Sequence, residues 1–128
     1  MMKQTTYDQF ARALLLLQHN EPLVAVRVLE PVVADEPVNR SLRETLGLAY
    51  FRTAQLNHAR AEFEVLAELD PSDDRAHFLL GRTWERLRQP DKAGRSYRIA
   101  NALHPSDEYG DALARVEAAP EPRSESRP

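Results

Sequence analysis

The chain has 128 residues, of which 42% are hydrophobic and 29% are charged, and its formal net charge is −3. This composition is typical of one soluble globular domain, and the negative charge argues against binding to nucleic acid or anionic lipid through overall charge. The absence of cysteine excludes disulfides, thiolate metal sites and a cysteine nucleophile, and it fits a reducing compartment.

The N-terminal part of the chain contains a short apolar run, Leu14–Leu17, which is reminiscent of the core of a signal peptide. However, Arg12 interrupts the approach to this run, Gln18 ends it, and no small-residue cleavage site follows. No stretch reaches the roughly 20 apolar residues that a membrane span needs. We therefore expect a cytoplasmic protein that does not bind membranes.

Helical periodicity and capping signals predict seven helices. Their expected bounds are about 5–19, 22–35, 39–53, 56–69, 73–88, 90–103 and 107–118. Short connections force the first six helices into three antiparallel hairpins. Pro22 and Pro90 stand near the first turn of their helices, where a missing amide costs little. Pro31 falls inside the second helix, where we expect it to remove one backbone hydrogen bond and to kink the helix.

Several residue types recur at a constant spacing along the chain, which indicates an internal repeat. Prolines stop the second helix of each pair at Pro37, Pro71 and Pro105. Two residues after each proline stands a predicted N-cap residue, whose side chain can accept hydrogen bonds from the first amides of the next helix. These cap residues are Asn39, Asp73 and Asp107. Thr5 precedes Asn39 by one full period and is the predicted cap of the first helix.

Small residues also recur at this spacing, and we expect two helix backbones to pass close to each other there. In the first helix of each pair the small residues are Ala13, Gly47 and Gly81. In the second helix of each pair they are Ala25, Ala59 and Ala93. Large residues beside these contacts form two further columns, which are Leu16, Tyr50 and Trp84, and Leu29, Phe63 and Tyr97.

These columns resemble the tetratricopeptide repeat, whose pattern is W-x2-L-G-x2-Y, then A-x3-F, then P. The second repeat matches at Leu46, Gly47, Tyr50, Ala59, Phe63 and Pro71. The third repeat matches at Leu80, Gly81, Trp84, Ala93, Tyr97 and Pro105. The first repeat is degenerate but in phase, with Ala13, Leu16, Ala25, Leu29 and Pro37. The resemblance covers about residues 5–107 and is specific for the fold, whereas many unrelated processes use this repeat.

The resemblance implies an all-α fold, a right-handed α-solenoid of three helix-turn-helix hairpins plus a capping helix. We assign residues 1–4 to an N-terminal tail and 5–118 to the repeat domain, with repeats at about 6–39, 40–73 and 74–107. The last helix, about 107–118, is expected to cover the apolar side of the preceding hairpin with Tyr109, Ala112, Leu113 and Val116. Residues 119–128 consist mainly of Pro, Ser, Glu and Arg and are predicted to be disordered.

In this family the first helix of each repeat lines a concave groove, so the resemblance implies a set of partner-binding residues. In the first repeat these are Tyr7, Phe10, Leu14 and Leu17. In the second repeat they are Glu44, Leu48, Phe51 and Arg52, and in the third Arg75, Phe78, Arg82 and Arg86. The change from apolar to basic suggests a peptide with apolar side chains and acidic residues or a terminal carboxylate. The alternatives are core packing for the leucines and a solvated face for the arginines.

One known variant of the family does not fit this sequence. Some members hold the tails of heat-shock chaperones with a clamp of Lys and Asn that binds two carboxylates. At the clamp positions this chain has Phe10, Leu14, Thr45, Arg75 and Leu79, and among these only Arg75 is chemically similar. The resemblance therefore argues against an adaptor for such chaperone tails.

Residue patterns typical of catalysis are not found in the sequence. The four glycines are isolated, the four histidines lack metal-ligand spacing, and no serine has the context of a nucleophile elbow. Acid–base catalysis also requires a walled pocket, which an open groove does not supply. We therefore predict no enzyme activity, no metal and no cofactor.

The sequence thus favours a non-enzymatic adaptor, scaffold or chaperone-like module that binds a peptide or protein partner in the concave groove. A first alternative is a self-assembling structural subunit, such as a homodimer, because the first repeat has more apolar surface than one hairpin needs. A second alternative is an accessory subunit of a larger enzyme or secretion complex.

Overall fold

The computed structural model describes residues 3–118, which form seven α-helices and, over that range, no strand. The helices are α1 (Gln4–Gln18), α2 (Pro22–Asp35), α3 (Arg40–Arg52), α4 (Leu56–Leu69), α5 (Asp74–Arg86), α6 (Pro90–Leu103) and α7 (Asp107–Ala118). Every helix begins and ends within two residues of its predicted bounds, so the all-α prediction is confirmed. The tail predicted for residues 119–128 lies outside the described residues.

The chain divides into two compact units, Met1–Pro71 and Ser72–Pro128. In the first unit, α1 packs on α2, α2 on α3, and α3 on α4. In the second unit, α5 packs on α6, and α6 packs on α7. Within each unit, helices that follow one another in the chain are therefore neighbours in space, as short antiparallel hairpins require.

Two of the predicted helix caps are confirmed. The Asn39 side chain accepts a hydrogen bond from the backbone amide of Leu42 at 3.2 Å. The Asp73 carboxylate accepts one from the amide of Ala76 at 3.1 Å. Each bond satisfies one of the amides that the first turn of a helix leaves without a partner, so the repeated polar residue fixes where α3 and α5 begin.

Two other predicted caps are wrong. The N-cap residue of α1 is Lys3, so Thr5 lies inside the helix instead of before it. At the start of α7, the backbone amide of Tyr109 donates to the Ser106 hydroxyl at 3.2 Å, which makes Ser106 the cap. Asp107 is the first residue of the helix, where its negative charge interacts favourably with the helix dipole.

The repeated glycines accommodate aromatic rings, which corrects the predicted close approach of two backbones. A Cβ atom added to Gly47 would lie 2.5 Å from Cε1 of the Phe63 ring. A Cβ atom added to Gly81 would lie at the same 2.5 Å from Cε1 of the Tyr97 ring. Both rings are fully buried, so they have little freedom to move aside. The glycine is required because the partner helix places a ring directly against its backbone.

The first helix of each hairpin ends in the same turn, which the sequence analysis did not predict. Asn20, Ala54 and Arg88 occupy equivalent places in the three repeats and have φ angles of 60°, 60° and 63°. In the first of these turns, the Asn20 amide donates to Leu17 O at 3.1 Å, and the Glu21 amide donates to Leu16 O at 2.8 Å. This pair of bonds is the Schellman motif, and it places a residue in the left-handed region that glycine or asparagine adopts most easily.

The last helix covers the apolar side of the α5–α6 hairpin, as predicted. Tyr109, Ala112 and Val116 of α7 are buried, and they share one core cluster with Ala93 and Tyr97 of α6. The charged residues of α7 remain on its exposed side. The helix therefore covers the apolar surface of the hairpin and presents a polar surface to solvent.

Pro31 lies within α2, which continues as one helix from Pro22 to Asp35. The residue is exposed, whereas Val26 and Val33 of the same helix are buried. Its ring therefore occupies the outer side of the helix, and the kink predicted there stays a prediction.

Candidate protein-binding surfaces

The first unit presents two rows of apolar residues on neighbouring helices. Phe10, Leu14 and Leu17 recur at helical spacing on α1, and Leu48 and Phe51 do so on α3. Leu14 is 44% exposed, and the other four side chains are half-buried. Because α1 contacts α3, the two rows belong to one region of the unit. These five residues, which we call the apolar rows, are anchored at their bases and expose part of their area to solvent.

The remaining predicted residues of the first unit differ in exposure. Tyr7 is 53% exposed, whereas Glu44 is half-buried. Arg52 holds α1 in place: its guanidinium donates to Leu17 O at 3.0 Å and to the Asn20 side-chain oxygen at 2.9 Å. A cation at this position stabilises the C-terminal end of α1, where helix carbonyls lack internal partners. The prediction that Arg52 binds a ligand carboxylate thus competes with a structural role.

The second unit presents a basic row along α5. Arg75, Arg82 and Arg86 are all exposed, and spacings of seven and four residues place them on one side of the helix. We call these three residues the basic row. Guanidinium groups bind carboxylates in a two-pronged geometry, so this side of α5 is chemically suited to an acidic segment.

Phe78, which was predicted to bind a partner, belongs instead to the core. Its side chain is only 7% exposed, and it belongs to the core of the second unit. Its ring centroid lies 5.7 Å from that of Tyr97 and 4.9 Å from that of Tyr109. Phe78 therefore joins α5 to α6 and α7, and we do not assign it to a binding surface.

A polar cluster missed by the sequence analysis ties the three helices of the second unit together. Glu85 of α5 accepts from the Tyr97 hydroxyl at 2.7 Å and from two nitrogens of Arg115 at 2.8 and 3.0 Å. The hydrogen bond from Arg115 is the main cause that lowers the pKa of Glu85 below its ordinary value. Burial, followed by the bond to Glu85, raises the pKa of Tyr97. No regular spacing links these three positions, so only the folded unit reveals the cluster.

A second tyrosine joins α7 to α5 in the same manner. The Tyr109 hydroxyl donates to the Asp74 carboxylate at 2.6 Å. Burial and this hydrogen bond raise the pKa of Tyr109 to about 12. The hydroxyl groups of both tyrosines are therefore held by carboxylates and serve packing.

The described residues contain neither a metal-ligand cluster nor a membrane-spanning helix. Over residues 3–118, no group of histidines and carboxylates is arranged to hold a metal ion. None of the helices in that range has the length and apolar character that crossing a membrane demands.

Comparison with known proteins identifies the repeat. The family model described as tetratricopeptide repeat matches residues 10–71 and again residues 45–108. No curated protein matches the sequence.

Solved structures share the fold at low sequence identity. The first TPR of Spaghetti (RPAP3) bound to the HSP90 peptide SRMEEVD is 18% identical, with a TM-score of 0.83, over 89% of this chain and 91% of that chain. The Yersinia enterocolitica type III secretion chaperone SycD in complex with a peptide of the translocator YopD is 14% identical, with a TM-score of 0.83, over 90% and 94%. The Sgt2 TPR domain from Aspergillus fumigatus is 14% identical, with a TM-score of 0.82, over 99% and 93%. At these identities the likeness shows the fold alone.

Proposed function

The chain belongs to the tetratricopeptide repeat family, and from this premise we propose that it is a protein-interaction module that binds a peptide segment of a partner protein. Two of the structural neighbours are peptide complexes, which supports a protein-binding role. The proposed partner offers apolar side chains to the first unit and acidic residues to the second. The protein acts by binding this segment and not by catalysis.

The observation that carries this proposal is the partial exposure of the apolar rows. A side chain that serves only the core is normally buried, whereas Leu14 exposes 44% of its area and four neighbours remain half-buried. Several partly exposed apolar side chains in one region of a soluble protein usually mark a surface for another molecule. Peptide recognition commonly uses such anchors, with pockets that accept alternate side chains of the bound segment.

The basic row is a separate proposed surface, which belongs to the second unit. Three exposed guanidinium groups on one side of α5 favour an acidic segment through charge-assisted hydrogen bonds. Exposed charges contribute mainly to the rate and selectivity of association. We therefore assign affinity chiefly to the apolar rows and selectivity for acidic peptides to the basic row.

The HSP90-type tail is not the partner that we propose. Two of the positions that would hold the carboxylate clamp, Thr45 and Leu79, are 6% and 5% exposed, so they offer no polar contact to a ligand. The peptide SRMEEVD is therefore a useful negative probe. We expect it to bind weakly or not at all in a fluorescence polarisation titration.

A phage-displayed library of random peptides provides the positive test. We expect the selected peptides to share apolar residues together with Asp or Glu. The double variant Arg82→Glu/Arg86→Glu should weaken a selected peptide about tenfold or more, because attraction becomes repulsion at two sites. Arg95→Glu, which changes an exposed arginine on α6, is the matched control and should leave the affinity unchanged.

Leu48→Ser tests the apolar rows in the same titration. It should weaken the selected peptides, whereas Leu69→Ser, at an exposed leucine of α4, should not. Circular dichroism would confirm that all variants keep their helices. If the selected peptides lack acidic residues and bind equally well to every variant, the proposed surfaces are not the binding site.

A further inference from the structure

One face of α1 is open although the equivalent face of the next repeat is buried. This face, which we call the stacking face, consists of Asp8, Ala11, Arg12 and Leu15, and all four are exposed. Their counterparts in the second repeat are Leu42, Thr45, Leu46 and Ala49, and none of these is more than 6% exposed. Because α3 packs against α2 in addition to α4, its face is covered within the unit. In residues 3–118, α1 has no helix at the corresponding place.

The stacking face continues into further exposed apolar surface. Leu15 is 56% exposed, and on the adjacent side of α1 Leu14 and Tyr7 are 44% and 53% exposed. Ala11, Leu14, Leu15 and Gln18 line an open hollow of about 610 Å³. Isolated exposed leucines are common on protein surfaces, but a contiguous group around a hollow indicates a place where another molecule packs.

We propose that a second copy of this chain covers the stacking face, through antiparallel pairing of the two α1 helices about a twofold axis. Such a contact is isologous, which means that each residue of the face meets the reversed face of the other copy. The small Ala11 side chain near the middle of the face provides room for Leu15 of the second copy. This proposal does not depend on the peptide-binding function.

The charges on the stacking face favour the antiparallel arrangement. Asp8 and Arg12 lie four residues apart on one flank of α1. A twofold axis that reverses one helix keeps the same flank of both helices on one side, so Asp8 of each copy comes opposite Arg12 of the other. In a parallel pair the twofold axis would run along the helices, so the flanks that carry Asp8 and Arg12 would lie on opposite sides and these charges would not meet. Within residues 3–118 Arg12 makes no ion pair, and Asp8 accepts only a 3.2 Å hydrogen bond from the Gln4 side chain.

A head-to-tail contact between α1 of one copy and α7 of another is disfavoured. The exposed side of α7 carries the acidic residues Asp107, Glu108 and Asp111. Leu15 would find a charged surface there, and covering these charges without partners is unfavourable. The exposed apolar side of α1 is therefore best matched by its own copy.

Sedimentation velocity of the full chain over a series of concentrations tests this inference. The wild-type protein should pass from monomer to dimer as the concentration rises. Leu15→Lys should weaken the dimer at least about tenfold, because one buried leucine is lost in each copy. Ile99→Lys, at a 44% exposed residue of α6, is the control and should leave dimerisation unchanged. A wild-type monomer at every concentration overturns the proposal, as does an unchanged dimer in Leu15→Lys.

Charge reversal tests the antiparallel geometry. Asp8→Arg and Arg12→Asp should each weaken the dimer about tenfold, because each creates two repulsive contacts. The double variant Asp8→Arg/Arg12→Asp should return the dissociation constant to near the wild-type value, since opposite charges face each other again. Circular dichroism controls for the helicity of α1. If the double variant dimerises no better than the single variants, the antiparallel pairing is wrong.

Discussion

The second repeat places an aromatic ring against a glycine, whereas the first repeat fills the same place with two aliphatic side chains. Gly47 lies against Phe63, and the equivalent residues of the first repeat are Ala13 and Leu29. Ala13, Leu29 and Phe63 are all fully buried. Compared with the second repeat, the first repeat has an extra methyl group at Ala13 and a smaller side chain at Leu29. The interior therefore stays filled in both hairpins. The comparison shows that two facing helices share one packing volume, and that neither position can be understood alone.

The third repeat adds a polar variation to the same plan. Tyr97 occupies the position of Phe63, and its hydroxyl reaches Glu85, which occupies the position of Phe51. Two positions that hold phenylalanines in the second repeat therefore hold a hydrogen-bonded tyrosine and glutamate in the third. Arg115 completes the third-repeat pair from α7, so the polar version also holds the last helix.

The largest effect on stability is expected from Gly47→Ala. This variant has the alanine of the first repeat but keeps the large Phe63 ring instead of a leucine. The new Cβ atom would lie 2.5 Å from the Phe63 ring, so the ring or the backbone must shift. We expect the free energy of unfolding to fall by about 1–3 kcal/mol. Urea denaturation followed by circular dichroism would measure this change.

The double variant Gly47→Ala/Phe63→Leu completes the conversion to the first-repeat pair. Phe63→Leu alone should destabilise the protein by leaving a cavity. The double variant should be more stable than the sum of the two single effects predicts, by about 1 kcal/mol or more of coupling. Strict additivity would show that the two positions do not share a packing volume.

A smaller effect, of about 1 kcal/mol, is expected from Glu85→Gln, which weakens the polar pair of the third repeat. The pKa of Glu85 is lowered in the folded chain, chiefly by Arg115, so its charge contributes stability above the ordinary value of 4.5. This contribution is lost as the pH falls through the lower folded value. Urea denaturation between neutral and acidic pH should show a steeper loss of stability for the wild type than for Glu85→Gln. Equal slopes would exclude Glu85 as a source of the acid sensitivity.

The smallest effect on stability is expected at the left-handed turn residue, which has the same conformation in all three hairpins but differs in residue type. Asn20 adopts the left-handed conformation readily, whereas Ala54 pays a steric cost at φ 60°. Ala54→Gly should raise the free energy of unfolding by about 0.5 kcal/mol, since relief of strain exceeds the added freedom of the unfolded chain. Ala61→Gly, on the exposed side of α4, is the control and should lower stability. A destabilising Ala54→Gly would contradict the assigned turn geometry.

Most of the fold could be predicted because local signals agree with the repeat. The prolines and the caps Asn39 and Asp73 act within one turn of the chain, so their effect does not depend on distant residues. Thr5 and Asp107 were misassigned because the repeat spacing was extended to helices whose neighbours differ. At the start of α7, Ser106 offers a hydroxyl one residue earlier and takes the capping role.

The candidate surfaces were less predictable because exposure depends on contacts between helices. Helical spacing placed Phe78 in the same row as Arg75 and Arg82, but spacing does not reveal that two tyrosines from other helices enclose its ring. In the same way, the sequence does not reveal that Arg52 donates to the Leu17 carbonyl of α1 and to the Asn20 side-chain oxygen in the turn that follows. Residues that lie on one face of a helix can therefore differ in role.

The contact between Gly47 and the Phe63 ring also means that such hairpins diverge during evolution by paired changes. If the ring shrinks first, the intermediate has a void, which a stable protein survives and a later methyl group can fill. If the methyl group arrives first, the intermediate carries a steric clash with the ring. Either route from a ringed repeat to an aliphatic one therefore passes through an intermediate that is less stable than both ends.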